Sequence, residues 1–262
     1  MKSRHALFAI VTFGYAFLYI PVMLLVVFSF NESKLVTVWS GFSLKWYGQL
    51  LNNDSLLNAA WLSLRIAMVN ATFALILGLL AAFALNRFQR FRGRTGFELL
   101  LTAPLVMPDV IIGLSLLLLF VSMQQVIGWP AGRGFTTISI AHITFSLAYA
   151  AVVIRGRIGQ LDPQLEEAAM DLGAKPFAVF LRITLPLLTP ALLSAWLLAF
   201  TLSLDDLVIA SFVSGPGATT LPMWIYSSVR LGVTPEVNAL ASLMLLFVSL
   251  VVIFISRTKS KT

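Results

Sequence analysis

The chain has 262 residues, of which 59% are apolar and 11% are charged, and its mean hydropathy is +0.92. Soluble domains carry about 25% charged residues, so this composition indicates a membrane protein. The absence of cysteine excludes disulfides, thiolate metal sites and cysteine nucleophiles.

Six apolar segments are long enough to cross a bilayer, which takes about 20 residues. In chain order they are predicted at 6–29, 59–86, 97–123, 136–156, 188–213 and 237–256. The first begins after a basic start and is about 23 residues long, whereas the core of a signal peptide has roughly 7–15 residues. We interpret it as a retained span, and we expect one all-helical transmembrane domain over residues 1–262.

The basic residues indicate the orientation and explain the net charge of +7. With the N-terminus inside, 13 of the 18 Lys and Arg residues fall on the cytoplasmic side, four fall outside, and Arg65 lies within the second span. Because basic residues collect in cytoplasmic loops, both termini are predicted to be cytoplasmic. The positive charge therefore reflects topology and not a nucleic-acid interface. Arg65 is expected to snorkel to the interface or to pair within the bundle.

Two outer segments are predicted to form interfacial helices that carry aromatic residues. "GFSLKWYGQLL" contains Trp46, and "TTLPMWIYSSVRLG" contains Trp224 and Tyr226 and ends at Gly232. Aromatic belts are common at membrane interfaces. The alternative is that one or two ring faces hold an alkylammonium group by cation–π attraction, worth roughly 0.5–2 kcal/mol each.

Three acids lie well inside predicted spans, where charged residues are costly and usually functional. Asp109 lies about 16 Å into the third span at the helical rise, near the midplane, and Pro108 interrupts that helix just before it. Asp205 and Asp206 lie in the outer half of the fifth span. Apart from Arg65, no Lys or Arg stands at a matching depth, so the acids suit a path for a cation.

The alternative is that these acids pair internally, or are protonated and hydrogen-bonded in the bundle. Adjacent residues point about 100° apart on a helix, so Asp205 and Asp206 are not expected to share a role. Asp205 lies on a face with Thr201, whereas Asp206 aligns with Ser203, and the sequence leaves open which acid faces the pathway. His142 is expected to be a hydrogen-bonded residue of the bundle.

The polar loop at 157–187 contains "QLDPQLEEAAMDLGAKPFAVFLRITLP". Asp162 and Pro163 predict a helix start, and Gly173 predicts its end. The helix would carry one apolar stripe, and a helix this short is marginal in water unless that stripe docks. Its acidic polar face fits lipid headgroups poorly, which favours a protein partner with a groove. The stripe comprises Leu165, Ala168, Ala169 and Leu172, opposite Gln164, Glu167 and Asp171.

The same stretch resembles the EAA motif of permease subunits of bacterial ABC importers. Glu167-Ala168-Ala169 is followed by three residues, Gly173, nine residues and then Ile183-x-Leu185-Pro186. The resemblance implies a type I (MetI-like) all-α fold of six transmembrane helices in the bacterial inner membrane, with a peripheral first span. It also implies a coupling helix that inserts into a cleft of a cytoplasmic ATPase dimer. The docking residues would be Glu167, Ala168, Ala169, Asp171 and Gly173.

A phosphate-binding G-x-x-x-x-G-K-[ST] loop does not occur in the sequence. The chain is therefore not expected to be an enzyme or to bind a cofactor itself. ATP and Mg²⁺ would bind to the partner ATPase.

Three segments resemble spermidine/putrescine permeases, the putrescine branch in particular: "APLVMPDVIIGLSLLLLF", "FTLSLDDLVIASFVSGPGATTLPMWIYSSVR" and "GFSLKWYGQLL". The resemblance implies a polyamine substrate, a pathway shared with a second homologous permease, and a periplasmic polyamine-binding protein. The candidate pathway residues are Asp109, Asp205, Asp206, Trp46, Ser203, Trp224 and Tyr226.

Other functions stay open at this point. The same machine could carry spermidine, ferric ion or thiamine. A secondary transporter predicts an inverted internal repeat, and the sequence shows no repeated halves. An intramembrane enzyme has little support, because His5 and His142 are the only histidines and neither an HExxH nor a GxSxG motif occurs.

Overall fold

The computed structural model of the chain describes residues 2–35, 38–88, 90–232 and 235–259. These residues form helices and no named strand, with one isolated bridge between Asn31 and Phe42, so the expected all-helical class is confirmed. The helices are α1 (Lys2–Phe28), α2 (Lys45–Leu51), α3 (Asp54–Arg87), α4 (Arg94–Val106), α5 (Asp109–Ile127), α6 (Phe135–Ile158), α7 (Gln164–Asp171), α8 (Pro176–Val179), α9 (Leu185–Leu204), α10 (Val208–Val213), α11 (Leu221–Leu231) and α12 (Pro235–Lys259).

Five described stretches are long and apolar enough to cross a membrane. They are Ile10–Phe28 in α1, the whole of α3, α5 and α6, and Pro176–Leu204, which runs through α8, a π-helical turn (Phe180–Thr184) and α9. In α12, Pro235–Leu246 forms a shorter apolar stretch.

Two predicted spans are divided in the structure. The third changes direction at Met107 and Pro108, whose ψ angles are 139° and 137°, so α4 ends before α5 begins. Pro108 explains this break, because a proline disfavours the helical conformation of the residue before it. The fifth span was expected to continue as one helix to residue 213. Instead α9 ends at Leu204 and α10 begins at Val208.

The chain divides into two units. The first comprises Met1–Leu57 and Trp224–Thr262, in which α12 packs on α1 and α2. The loop after α1 is organised by the buried Asn31, whose amide donates to the Val38 carbonyl at 2.7 Å. Its side-chain oxygen accepts the Ser40 N–H at 3.0 Å.

The second unit comprises Asn58–Met223, with α6 at its centre in contact with α4, α5, α9 and α10. The contact between α3 and α6 depends on small residues. A Cβ atom added to Gly78 would lie 2.9 Å from Cβ of Ala150 and 3.0 Å from the backbone nitrogen of Ala151. Small residues allow membrane helices to approach closely, because lipid gives no hydrophobic drive for their association.

A buried amide joins three helices of this second unit. Asn70 on α3 donates to the Ser146 hydroxyl of α6 at 3.1 Å and to the Ala199 carbonyl of α9 at 2.7 Å. Hydrogen bonds of this kind between membrane helices contribute on average about 0.6 kcal/mol each. Asn70 therefore links α3 to α6, which carries His142, and to α9, which carries Ser203.

Candidate functional site

The polar loop forms the short helix expected from its ends. The Asp162 carboxylate accepts the Gln164 N–H at 3.0 Å, which caps the first turn of α7. At the other end Gly173 adopts a φ of +87°, and the Ala174 N–H donates to the Ala169 carbonyl at 3.1 Å. This is the left-handed glycine ending that the sequence predicted.

The apolar stripe of α7 is open to the surroundings. None of the residues of α7 is buried, and Leu172, which follows the helix, is 90% exposed. Leu165 is also exposed, as are Glu167 and Asp171, while Ala169 is half-buried. The face that was predicted to dock is thus free of cover by the rest of the described chain.

Glu166, which the sequence pattern did not single out, anchors α7 to the bundle. Its carboxylate pairs with the guanidinium of Arg87 at the end of α3, and it accepts a hydrogen bond from the Thr184 hydroxyl at 2.6 Å. Thr184 closes the π-helical turn that leads into α9. The doubled acid Glu166-Glu167 was the available signal, because adjacent residues of a helix point about 100° apart and so tend to face different surroundings.

A cavity of about 310 Å³ lies beside this anchor, within the second unit. Its lining includes Phe83, Asn86, Asp162, Pro163, Glu166 and Thr184. The Glu166 carboxylate therefore lies at the wall of this cavity, where it joins α7 to the end of α3.

Asp206 forms part of an internal network. One carboxylate oxygen accepts the Ala210 N–H at 2.7 Å and the other accepts the Ile209 N–H at 3.2 Å, so Asp206 caps α10. His142 Nε2 lies 3.0 Å from the same carboxylate, and His142 Nδ1 lies 2.7 Å from the Ser203 hydroxyl. Asp206 therefore pairs internally, which is the alternative that the sequence left open, and His142 is confirmed as a hydrogen-bonded residue of the bundle.

The break between α9 and α10 also alters the relationship between the two adjacent aspartates. Asp205 follows directly after α9 as its C-cap, and its N–H donates to the Thr201 carbonyl at 3.2 Å. The expectation that both acids project from one continuous helix is therefore wrong. Asp205 is exposed, while Asp206 turns inward with 11% of its side chain exposed.

Asp109 is the first residue of α5 and is exposed. Within residues 2–35, 38–88, 90–232 and 235–259, neither Asp109 nor Asp205 has a side-chain hydrogen bond or ion pair. The positive end of the α5 dipole favours a negative charge at position 109. Of the three acids that the sequence singled out, these two therefore have carboxylates available to a solute.

Arg65 and Trp46 both have internal contacts. The Arg65 guanidinium lies 5.0 Å from the centre of the Phe135 ring, so it pairs within the second unit. In the first unit Trp46 is only 3% exposed, and its indole N–H donates to the Asn31 carbonyl at 2.6 Å. The Lys45 ammonium lies 4.8 Å from the Trp46 ring. Trp46 thus helps to hold together the loop between α1 and α2.

Trp224 and Tyr226 lie on α11, the second of the predicted interfacial helices. The Trp224 indole N–H donates to the Ser55 hydroxyl at 3.2 Å. Tyr226 is 48% exposed, and the Arg230 guanidinium lies 5.2 Å from its ring centre. One face of Tyr226 therefore already holds a cation from the same helix.

Residues 74–258 match a family described as "Binding-protein-dependent transport system inner membrane component". The match covers most of the chain, from the middle of α3 to the end of α12. The chain belongs to this family. It is a multi-pass inner-membrane transport component, and this membership favours a permease subunit over a secondary transporter or an intramembrane enzyme.

Two proteins from Escherichia coli (strain K12) are similar to this chain over nearly its whole length. The putrescine transport system permease protein PotI is 64% identical over 236 residues, which cover 90% of this chain and 84% of that protein. The spermidine/putrescine transport system permease protein PotC is 45% identical over 250 residues, or 94% and 92% of the two chains. The predicted resemblance to spermidine/putrescine permeases is confirmed.

A solved structure shows the same fold. It is the crystal structure of a bacterial alginate ABC transporter in complex with alginate pentasaccharide-bound periplasmic protein. The TM-score is 0.73 at 16% identity, and the match covers 99% of this chain and 93% of that one. The expected fold, that of an ABC importer permease, is confirmed.

Proposed function

We propose that this chain is the membrane-spanning subunit of an ATP-driven putrescine importer and supplies half of its translocation pathway. The observation that carries the proposal is the 64% identity with PotI over 236 residues. The exposed carboxylates of Asp109 and Asp205 give it a chemical basis. A diamine carries two positive charges separated by an apolar chain, which suits spaced carboxylates in an apolar surrounding.

The assembly that we propose has four kinds of component. A second, homologous permease completes the pathway, a cytoplasmic ATPase dimer holds ATP and Mg²⁺, and a periplasmic polyamine-binding protein delivers the solute. The alginate transporter, which was crystallised in complex with a periplasmic protein, supports this arrangement by its shared fold. Both termini of this chain would lie in the cytoplasm, as its basic residues favour.

The pathway residues divide into two groups in this proposal. Asp109 and Asp205 interact with the cation directly, because their carboxylates are exposed. Asp206 and Ser203 shape the pathway through the contacts that they make with His142. Trp224 and Tyr226 stay candidates for cation–π contact, since Tyr226 is half exposed, whereas Trp46 acts by holding the loop between α1 and α2.

The coupling helix in this proposal is α7. Its exposed Glu167, Ala168 and Asp171 face the ATPase, with Ala169 at the edge of the contact. Gly173 ends the helix with a left-handed turn, which allows the chain to return to the membrane through α8. The open stripe on a short helix supports this role, because such a helix gains stability when a partner covers the stripe.

The test is uptake by the complete complex in proteoliposomes, with the binding protein outside and ATP inside. We expect saturable uptake of labelled putrescine that depends on both ATP and the binding protein. Spermidine is the second candidate, because PotC is 45% identical. Transport of ferric ion or thiamine without transport of either polyamine would overturn the proposal.

A further inference from the structure

The break between α9 and α10 contains neither glycine nor proline, so side chains must hold it open. Residues 205–207 are Asp-Asp-Leu. Asp206 supplies the support, because its carboxylate accepts the N–H groups of Ile209 and Ala210 in the first turn of α10. Without these acceptors, the exposed N–H groups would favour continuation of the α9 helix through the break.

His142 connects this capped turn to the centre of the second unit. It lies on α6, and its ring is nearly inaccessible, with 3% of the side chain exposed. The Asp206 carboxylate accepts a hydrogen bond from Nε2–H, which leaves Nδ1 to accept from the Ser203 hydroxyl. The imidazole thus contacts the last turn of α9 at Ser203 and the break itself at Asp206.

The capped turn is also tied to the helix that begins with Asp109. A Cβ atom on Gly113 of α5 would lie 3.3 Å from Cα of Ile209 and 2.7 Å from the Phe212 ring. Ile209 is the same residue whose N–H is held by Asp206. Gly113 lies one helical turn after Asp109. A shift of α10 would therefore move both the start of α5, which carries Asp109, and the break that carries Asp205.

We propose that His142 is a positioning residue for cation transport: its bond to Asp206 holds the α9–α10 break so that the Asp205 carboxylate faces the solute. This inference rests on the proposed function, and it assigns the two adjacent aspartates separate roles. Asp205 contacts the cation, and Asp206 holds the turn. His142 touches no solute in this arrangement and acts through Asp206.

A pair of substitutions separates the two contacts of the ring. In His142→Gln the longer side chain can place an amide N–H near the Nε2 position and keep the bond to Asp206. In His142→Asn the shorter side chain reaches only the Nδ1 position, toward Ser203. We expect the KM for putrescine to rise about tenfold or more in His142→Asn, since small misplacements are costly, and to stay within about threefold of the unsubstituted value in His142→Gln.

The measurement is initial uptake in proteoliposomes containing the complete complex, normalised to the amount of complex. If the unsubstituted complex does not transport putrescine, the proposed function fails and this inference fails with it. If it transports putrescine and both variants keep its KM, only the inference fails. A loss of assembled complex at unchanged KM in both variants would likewise overturn it, because that result means a purely structural role.

A second readout does not depend on transport. The chain lacks cysteine, so Asp205→Cys can be labelled specifically in a complex whose other subunits are cysteine-free. We expect a thiol reagent to modify this residue, and we expect His142→Asn, but not His142→Gln, to change the labelling rate about fivefold or more as the break closes. Equal labelling rates in all three backgrounds would overturn the inference.

Discussion

The carboxylate of Glu166 on α7 pairs with the guanidinium of Arg87 at the end of α3. The two residues are 79 positions apart in the chain. Thr184 donates to the same carboxylate from the turn that leads into α9. One side chain therefore attaches the proposed coupling helix to two membrane helices, and a displacement of α7 would act on both.

Replacement of Glu166 should uncouple ATP hydrolysis from transport. Glu166→Ala removes both contacts, and each hydrogen bond to a charged group contributes about 1.5–3 kcal/mol, less where it is exposed. We expect the number of solutes moved per ATP to fall several-fold while the ATPase stays bound. Putrescine uptake and phosphate release, measured together in proteoliposomes, give this ratio.

Glu167 offers a matched control on the next residue. It is exposed and makes no side-chain hydrogen bond or ion pair with the described part of the chain, so Glu167→Ala should weaken co-purification of the ATPase instead. Thr184→Val should reproduce a milder form of the Glu166→Ala effect. An unchanged transport-to-hydrolysis ratio in Glu166→Ala would exclude the anchoring role.

Gly173 is expected to tolerate substitution poorly because of its backbone conformation. Its φ is +87°, and no atom lies within 4 Å of the position that a Cβ would occupy, so space is not the obstacle. The left-handed conformation costs a residue with a Cβ about 1–2 kcal/mol. We expect Gly173→Ala to reduce substrate-stimulated ATP hydrolysis, and Gly173→Asn to retain more activity because Asn is the commonest alternative at this position.

Gly159, which ends α6, is the control for Gly173. Its φ is −66°, and an added Cβ would make only ordinary contacts, the nearest at 3.6 Å. Gly159→Ala should therefore leave ATP hydrolysis unchanged. Similar losses in both alanine variants would show that the left-handed turn is not the cause.

Structural features could be predicted from the sequence wherever the interaction that determines them is between residues close together in the chain. The ends of α7 follow from Asp162 and Gly173, and the break before α5 follows from Pro108. Hydropathy located the apolar segments because a bilayer requires about 20 apolar residues for each helical span. Resemblance to the EAA motif then identified the family before any contact between helices was known.

Contacts between distant parts of the chain could not be predicted in this way. His142 and Asp206 are 64 residues apart, and Glu166 and Arg87 are 79 residues apart. The break at 205–207 has no local marker either, because it is stabilised by the capping carboxylate and by α6. The sequence alone therefore groups Asp206 with Asp109 and Asp205 as candidate pathway residues, and it does not single out Glu166 beside Glu167.

Close packing between α3 and α6 predicts that Gly78 cannot accept a large side chain. Gly78→Leu would force Ala150 and the Ala151 backbone apart, and overpacking of this kind typically costs about 1–3 kcal/mol. We expect less assembled complex and a lower midpoint of thermal unfolding in detergent. Gly14→Leu is the matched control, because Gly14 also lies in an apolar helix and no atom lies within 4 Å of its added Cβ.

Substitution of Asp206 should lower the stability of the complex, whereas substitution of Asp109 should raise the KM for putrescine. Asp206→Ala removes the cap of α10 and leaves the buried His142 without one of its two hydrogen-bond partners, which together should cost about 2 kcal/mol or more. Its main effect should be a lower unfolding midpoint and less assembled complex. Asp109→Ala removes an exposed carboxylate that has no hydrogen bond or ion pair with the described residues, so the complex should assemble normally and unfold at an unchanged temperature.

The transport kinetics complete this comparison. Asp109→Ala should raise the KM for putrescine by about tenfold, equivalent to roughly 1.4 kcal/mol of lost attraction for one ammonium group. Asp109→Glu keeps the charge and should recover part of that loss. Thermal unfolding and uptake kinetics measured on the same preparations separate stability from recognition. A strongly destabilised Asp109→Ala complex, or an Asp206→Ala complex of normal stability, would contradict the distinction between the exposed acid and the buried one.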